Sequence, residues 1–200
     1  MSDSACETNI PRKRLETFEW DEIWWEHTEN YTAKRILYIG DSISCGIRRL
    51  ITRLSNETVL CDGFGTSKAV DNPYLIPSIQ LCMQQQSKCD GILFNNGLHG
   101  GHLSAEEYEE YLEQVLRFLM ETKKPVFLLL TTTDIVNSAR SARVTIRNEV
   151  AEKLAKKYDL PIIDLYTVAV ENANLHAPDG VHFTPEGYEL MAKCILEAIA

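Results

Sequence analysis

The chain has 200 residues, of which 44% are hydrophobic and 24% charged, with a formal net charge of −9. These values are typical of one globular domain. The acidic surface argues against nucleic acid or an anionic membrane as partner, because both require clustered Lys and Arg. The sequence shows neither a secretory signal nor an apolar run long enough to span a membrane, so we expect a cytoplasmic protein.

The first 33 residues differ in pattern from the rest of the chain. Many are acidic, and they include the large apolar residues Phe18, Trp20, Ile23, Trp24 and Trp25. We interpret residues 1–33 as an N-terminal arm whose aromatic side chains pack on a domain formed by residues 34–200. The alternative is a lid or a dimer contact, which leaves a homo-oligomer open.

From residue 35 onward, short apolar runs alternate with segments of helical period. Residues 35–40 predict a strand, and residues 43–54 a helix with one apolar stripe. Residues 58–61 predict a second strand that ends at a glycine-rich loop, 62–66. Residues 90–94 predict a third strand, closed by Asn95-Asn96-Gly97.

The second half continues the alternation. Ser104 and Glu107 form a capping box that opens a helix, and residues 125–131 are apolar enough for a strand covered on both faces. A helix (142–158), a last strand (160–165) and a helix capped by Thr184 complete the series. This order predicts a three-layer α/β/α sandwich with a central, mostly parallel five-stranded sheet, in which ligands bind at the carboxyl ends of the strands.

Ser42 follows the first of these strands and begins a helix. That position exposes its hydroxyl in the expected ligand crevice, and the helix N-terminus favours negative charge beside it. A helix cap is the simpler interpretation of Ser42 taken alone. Cys45, in the first helical turn, is a rival nucleophile.

Asp179 and His182 stand three residues apart in a turn rich in Pro and Gly. The spacing allows the carboxylate to reach the imidazole Nδ1, as a serine hydrolase requires. Asp179 bracing the turn locally is the alternative. A metal site that includes His176 is a further alternative, which we do not favour because the sequence offers no convincing additional ligand.

Glycine and asparagine residues in the remaining loops are candidates for binding an oxyanion. Asn96 offers a side-chain N–H₂ group beside the backbone N–H groups of Ser42 and Gly65, with Asn95 and Gly63 as competitors. Substrate contacts are expected from three further residues near the nucleophile and the loop glycines: Asp41, Asn95 and His99.

The chain resembles the SGNH (GDSL-like) hydrolase family from about Lys34 to the C-terminus. The family's first block matches Ile39-Gly40-Asp41-Ser42-Ile43, and its last block, Asp-x-x-His before a helix, matches Asp179-Gly180-Val181-His182. The family's Gly-x-Asn-Asp block departs here, where the sequence reads Phe94-Asn95-Asn96-Gly97. The resemblance implies a flavodoxin-like fold, a triad of Ser42, Asp179 and His182, and an oxyanion hole of Ser42, Gly65 and Asn96.

The resemblance implies esterase chemistry through an acyl-serine, with no metal or organic cofactor. We expect a small-molecule or carbohydrate substrate with a short acyl group, such as an O-acetylated sugar, because the sequence offers no long apolar stretch for a fatty chain. Lysophospholipid or thioester hydrolysis is the alternative within this class. A non-catalytic module that binds glycans or a protein is the alternative outside it.

Overall fold

A computed structural model describes residues 18–86 and 88–200. Within them, six strands form one sheet in the order β1-β3-β2-β4-β5-β6. The strands are β1 (Asp21–Trp24), β2 (Lys34–Gly40), β3 (Val59–Thr66), β4 (Gly91–Phe94), β5 (Val126–Leu129) and β6 (Ile162–Ile163). Strands β2 to β6 are parallel and β1 is antiparallel, so the predicted, mostly parallel α/β fold is confirmed.

Six α-helices among the described residues cover the two faces of the sheet. They are α1 (Ser42–Leu54), α2 (Leu75–Gln85), α3 (Ala105–Glu121), α4 (Ser138–Tyr158), α5 (Leu165–Glu171) and α6 (Pro185–Ile199). Alternate residues of β2 point into different cores: Ile36 and Tyr38 pack with α1, α5 and α6, while Leu37 and Ile39 pack with α2, α3 and most of α4. This alternation follows from the two-residue period of a strand.

The predicted helix starts at Ser104 and Thr184 are confirmed. The Ser104 hydroxyl accepts from the Glu107 N–H as part of a complete capping box, and the Thr184 side chain accepts from the Gly187 N–H. By contrast, α2 and α5 were not predicted. The residue that precedes α2, Tyr74, makes no side-chain cap, and α5 has only seven residues.

The prediction of a loop at residues 62–66 is wrong, because β3 continues to Thr66. The two glycines in this stretch make room for helix α1 instead of forming a turn. A Cβ at Gly63 would lie 2.3 Å from the Arg48 side chain, and one at Gly65 would lie 2.3 Å from the Cys45 sulfur. Glycine inside a strand marks such a close approach.

The sheet has one strand more than predicted, and the N-terminal arm supplies it. Residues Asp21–Trp24 pair antiparallel with β3, and the buried guanidinium of Arg35 bonds the carbonyls of Glu26, His27 and Asn30 as well as Asp62 Oδ1. The described part of the arm is therefore built into the sheet, and residues 1–17 lie outside the described residues. The division into 1–33 and 34–200 stays a prediction.

No helix in the described part of the chain is long and apolar enough to cross a membrane. The five cysteines among these residues are free thiols.

Candidate active site

Ser42 lies where the order of the strands reverses. β2 stands between β3 and β4, and the chain passes from its last residue, Gly40, directly into α1. This turn is tight, since a Cβ at Gly40 would lie 2.8 Å from Ser44 Cβ. Asp41 caps the helix by accepting a bond of 2.9 Å from the Ile43 N–H. Ser42 thus occupies the crevice in which parallel α/β sheets bind their ligands.

Asp179 and His182 form the core of a compact turn, here called the histidine turn (residues 177–183). Asp179 Oδ1 accepts from the N–H groups of Val181 and His182 at 3.0 and 2.9 Å, and its Oδ2 lies 2.6 Å from His182 Nδ1. The hydrogen bond from the His182 side chain, helped by these two backbone bonds, holds the pKa of Asp179 well below its ordinary value. The Asp179 carboxylate is therefore ionised at neutral pH and can accept a hydrogen bond from the imidazole.

The histidine turn meets Ser42 through the imidazole. His182 Nε2 lies 2.8 Å from Ser42 Oγ, on the side of the ring opposite Asp179. With Nδ1 protonated toward the carboxylate, Nε2 is the acceptor for the serine hydroxyl. This Ser–His–Asp chain can activate a hydroxyl as a nucleophile.

A cavity of about 600 Å³ opens in front of this chain of hydrogen bonds. Its walls come from the arm, the β2–α1 junction, the loop after β4, helix α4 and the histidine turn. The lining residues are Trp20, Ser42, Leu98, His99, Gly101, Arg140, Arg143, Asp179, Val181 and His182. The cavity has space for a small polar substrate beside the Ser42 hydroxyl.

The two candidate asparagines take different positions. Asn95 Nδ2 donates to Thr131 Oγ1 at 3.0 Å, which ties the end of β4 to the end of β5. Asn96 Nδ2 donates to the Lys68 carbonyl at 2.7 Å, and Tyr108 donates its hydroxyl hydrogen to the Asn96 carbonyl at 2.5 Å. An amide nitrogen carries two hydrogens, so the bond to Lys68 leaves Asn96 a second donor.

Gly65 lies at the end of β3, in register with Gly40 of β2. Its lack of a side chain is explained by the Cys45 sulfur, and the Trp20 ring would also lie 3.3 Å from a Cβ there. The role of its N–H group in an oxyanion hole stays a prediction.

Of the three predicted substrate contacts, only His99 borders the cavity. Asp41 and Asn95 are buried and form hydrogen bonds within the fold. Burial raises the pKa of the Asp41 carboxyl, while the neighbouring charge of His99 acts in the opposite direction. Asp41 therefore contributes to the site through the helix cap that positions Ser42.

The loop that carries His99, here called the asparagine loop (residues 95–101), is held by a residue that the sequence analysis missed. The buried Arg147 of α4 donates to the carbonyls of Gly97, His99 and Gly100 at 2.9, 2.5 and 2.5 Å. Its guanidinium also stacks on the Tyr108 ring, 4.6 Å from the centroid. An arginine within an otherwise ordinary helix carries no sequence signal of this function.

Trp20 was also missed as a cavity residue, although the lid interpretation of the arm pointed in this direction. Its backbone N–H donates to Ser67 Oγ at 2.9 Å, and its carbonyl accepts from the Ser67 N–H at 3.1 Å. These bonds extend the pairing of β1 with β3 and bring the indole to the cavity rim.

Neither Cys45, the rival nucleophile, nor His176, the candidate metal ligand, lines the cavity. Cys45 packs against Gly65 instead of lining the cavity, and burial raises the pKa of its thiol. His176 is buried with its ring 4.3 Å from that of Phe183. Across residues 18–86 and 88–200, no group of three His, Cys, Asp or Glu side chains could hold a metal ion.

Comparison with known proteins gives a family match and a shared fold. The family model for GDSL-like lipases/acylhydrolases matches residues 102–195, which include Asp179 and His182. No curated protein sequence matches the chain.

Solved structures of three proteins resemble this one over more than four-fifths of its length. An acetyl xylan esterase has a TM-score of 0.65 at 18% identity, covering 83% of this chain and 100% of its own. A G-D-S-L family lipolytic protein from Veillonella parvula has a TM-score of 0.69 at 22% identity, with 82% and 97% covered. The lipase/acylhydrolase from Enterococcus faecalis has a TM-score of 0.68 at 21% identity, covering 83% of this chain and 95% of its own.

At these identities the solved structures show the fold, while the family model adds the sequence relationship. The predicted resemblance is thereby confirmed: residues 102–195 match the model of the GDSL-like lipases/acylhydrolases, and the fold is similar to that of solved G-D-S-L family proteins.

Proposed function

We propose that the protein is a serine esterase that removes short acyl groups, above all acetyl, from small-molecule or carbohydrate esters. The proposal is carried by the hydrogen-bonded chain from Asp179 through His182 to Ser42, with distances of 2.6 and 2.8 Å. A serine hydroxyl gains nucleophilicity only when a base removes its proton, and this chain supplies the base and its orientation.

The reaction proceeds in two steps. Ser42 Oγ attacks the ester carbonyl while His182 Nε2 takes the hydroxyl proton and Asp179 stabilises the imidazolium. The Ser42 N–H, the Gly65 N–H and the Asn96 amide stabilise the oxyanion. The tetrahedral intermediate collapses as His182 returns the proton to the leaving alcohol, which leaves an acyl-serine. Water, deprotonated by His182, then hydrolyses this ester and releases the acid.

The preference for a short acyl group rests on the lining of the cavity. Leu98 and Val181 are the two aliphatic side chains among the described residues that line it, and most of the other lining residues are polar, charged or aromatic. A fatty chain would need a larger apolar surface to leave water favourably. One neighbour in fold is an acetyl xylan esterase, which agrees with an acetylated carbohydrate as substrate.

A fluorophosphonate probe tests the nucleophile. We expect wild type to form an adduct that peptide mapping assigns to Ser42, and His182→Ala to lose nearly all labelling because the hydroxyl then lacks its base. Ser138→Ala removes an exposed serine of α4 and serves as the control that should label like wild type. A folded wild-type protein that forms no Ser42 adduct would refute the proposal and favour a non-catalytic module.

A series of p-nitrophenyl esters tests the acyl group. We expect kcat/KM to be highest for acetate and to fall with chain length, because long chains find little apolar wall in the cavity. A maximum at eight or more carbons would instead assign the enzyme to lysophospholipid or thioester hydrolysis, with the same triad.

A further inference from the structure

Trp20 is anchored to the end of β3, at one edge of the candidate active-site cavity. Its backbone N–H donates to Ser67 Oγ at 2.9 Å, and its carbonyl accepts from the Ser67 N–H at 3.1 Å. The next residue, Asp21, accepts hydrogen bonds of 2.6 Å from the Thr66 hydroxyl and from Lys68 Nζ. The position of Trp20 is therefore set by the sheet, independently of what the cavity contains.

The Trp20 ring lies beside the end of β3, on the face of the sheet that carries α1. A Cβ at Gly65 would lie 3.3 Å from this ring and 2.3 Å from the sulfur of Cys45, which belongs to α1. Gly65 is in register with Gly40, two residues before Ser42. The indole is thus close to the strand that supplies an oxyanion donor in the proposed mechanism.

Trp20 and the histidine turn approach Ser42 from opposite sides. In the sheet, β1 and β3 lie on one side of β2, whereas β4, β5 and β6 lie on the other. Trp20 extends the β1–β3 pair. The histidine turn is tied to the chain that follows β5, because the Ile135 N–H donates to the Gly180 carbonyl at 2.9 Å. The cavity therefore has an imidazole at one side of the nucleophile and an indole at the other.

These positions separate the two parts of a bound ester. His182 protonates the leaving alcohol, so the alcohol oxygen lies on the side of the histidine turn. The oxyanion faces the N–H groups of Ser42 and Gly65 and the amide of Asn96 in the proposed mechanism. The acyl chain is the remaining substituent of the tetrahedral carbon, and it extends toward Trp20.

We infer that Trp20 determines the length of the acyl chain that the enzyme accepts. The indole closes the acyl side of the cavity, so an acetyl group fits and a longer chain meets the ring. This inference rests on the proposed esterase function and assigns its preference for short acyl groups to one side chain. Trp20 lies outside residues 102–195, so the family relationship does not by itself identify this residue.

The experiment compares p-nitrophenyl acetate with p-nitrophenyl butyrate, which share one leaving group. For wild type we expect kcat/KM to be about 10-fold or more lower for butyrate, because a pocket discriminates by at least this factor against a methylene that does not fit. Trp20→Ala should raise the butyrate-to-acetate ratio by about the same factor, since the missing ring leaves space for the longer chain. General damage to the fold would lower both rates together and leave the ratio unchanged.

Trp24→Ala is the matched control, because it removes an indole from the same arm. Trp24 does not line the cavity: its Nε1 donates to Glu26 at 2.8 Å, and Arg49 stacks on its ring, 4.7 Å from the centroid. This variant should keep the wild-type ratio. Trp20→Phe keeps a smaller ring and should give an intermediate ratio, which provides the test if Trp20→Ala does not fold.

A second pair of substrates tests the side of the nucleophile on which Trp20 acts. p-Nitrophenyl acetate and 4-methylumbelliferyl acetate share the acyl group and differ in the alcohol. Their kcat/KM ratio should be the same in wild type and Trp20→Ala, because the alcohol lies beside His182. A ratio that changes here, while the butyrate-to-acetate ratio does not, would place the indole on the alcohol side and overturn the inference.

The outcomes separate this inference from the proposed function. An unchanged butyrate-to-acetate ratio in folded Trp20→Ala or Trp20→Phe overturns the role of Trp20 and leaves the short-chain esterase intact. A wild-type protein that prefers long chains overturns both the role of Trp20 and the proposed acyl preference, with the triad unaffected. Failure of the esterase itself, and of the inference with it, would appear as a folded wild-type protein with no fluorophosphonate adduct on Ser42.

Discussion

Two loops border Ser42, and they are stabilised in different ways. The histidine turn organises itself through bonds between residues two to five apart: Asp179 accepts from Val181 and His182, and the Ala177 N–H donates to the His182 carbonyl at 2.7 Å. The asparagine loop is held from a distance, by Arg147 of α4 and Tyr108 of α3. One loop depends on local sequence and the other on tertiary packing.

Exposure follows the same division. The side chains of Asp179 and His182 are 53% and 41% exposed, whereas Arg147 is 2% exposed. Ion pairs exposed to water contribute little to stability, whereas removal of a buried donor leaves the carbonyls that it served without a partner, which costs much more. We therefore expect substitutions in the histidine turn to impair catalysis without destabilising the protein. Substitutions at Arg147 should impair catalysis and also destabilise the protein.

The largest effect is expected from Asp179→Asn. Loss of the carboxylate removes the group that selects the His182 tautomer, so kcat should fall by about 10³-fold to 10⁴-fold. The free energy of unfolding should change by less than about 1 kcal/mol, because the pair is exposed. Ester hydrolysis and urea denaturation measure the two quantities. If Asp179→Asn lost several kcal/mol of stability as well as activity, the histidine turn would not be separable from the stability of the fold, contrary to this prediction.

The same variant carries a pH dependence whose sign follows from the lowered pKa of Asp179. A carboxyl with a pKa lower in the folded than in the unfolded state stabilises the fold above its ordinary value of about 4 and loses this effect as the pH falls. The small stability difference between wild type and Asp179→Asn should therefore be constant near neutral pH and shrink in acid. A difference that grows in acid would refute this assignment.

Arg147→Met ranks second. It keeps much of the side-chain volume but removes the donors to the carbonyls of Gly97, His99 and Gly100. We expect a loss of about 1–3 kcal/mol or more in the free energy of unfolding, together with lower activity, because the buried carbonyls of the asparagine loop lose their donor. Arg117→Met, at an exposed arginine, should stay within about 0.5 kcal/mol of wild type. Similar unfolding curves for both variants would show that Arg147 does not stabilise the loop.

Tyr108→Phe should have the smallest effect. It removes the hydroxyl that donates to the Asn96 carbonyl at 2.5 Å and keeps the ring under Arg147. We expect about 1 kcal/mol less stability and a reduction in kcat of a few-fold, because Asn96 is held less firmly. Tyr74→Phe, at a tyrosine that is 56% exposed, is the control and should have no effect on either quantity. A Tyr108→Phe protein that resembles this control would contradict the prediction.

Much of the sheet and the helix starts could be predicted because their signals are local. Short apolar runs marked the strands, and the side chains of Ser104 and Thr184 marked two helix starts. The glycines of β3 were misinterpreted because a glycine that opens a turn and a glycine that lies under another side chain look the same in sequence. Only the position of Cys45 and Arg48 on α1 distinguishes them.

The sequence by itself determined the α/β order and singled out Ser42, Asp179 and His182, since each belongs to a short motif at the end of a predicted strand or before a helix. Only the tertiary structure brings Ser42 Oγ to 2.8 Å from His182 Nε2, across 140 residues of sequence, and makes the arm an edge strand. It also places Trp20 at the cavity and sets Arg147 behind the loop that carries His99. The physical reason is that helix caps, turns and hydrophobic periodicity depend on residues that are close together in the sequence. Contacts between distant elements depend instead on how complete layers pack, which no short segment encodes.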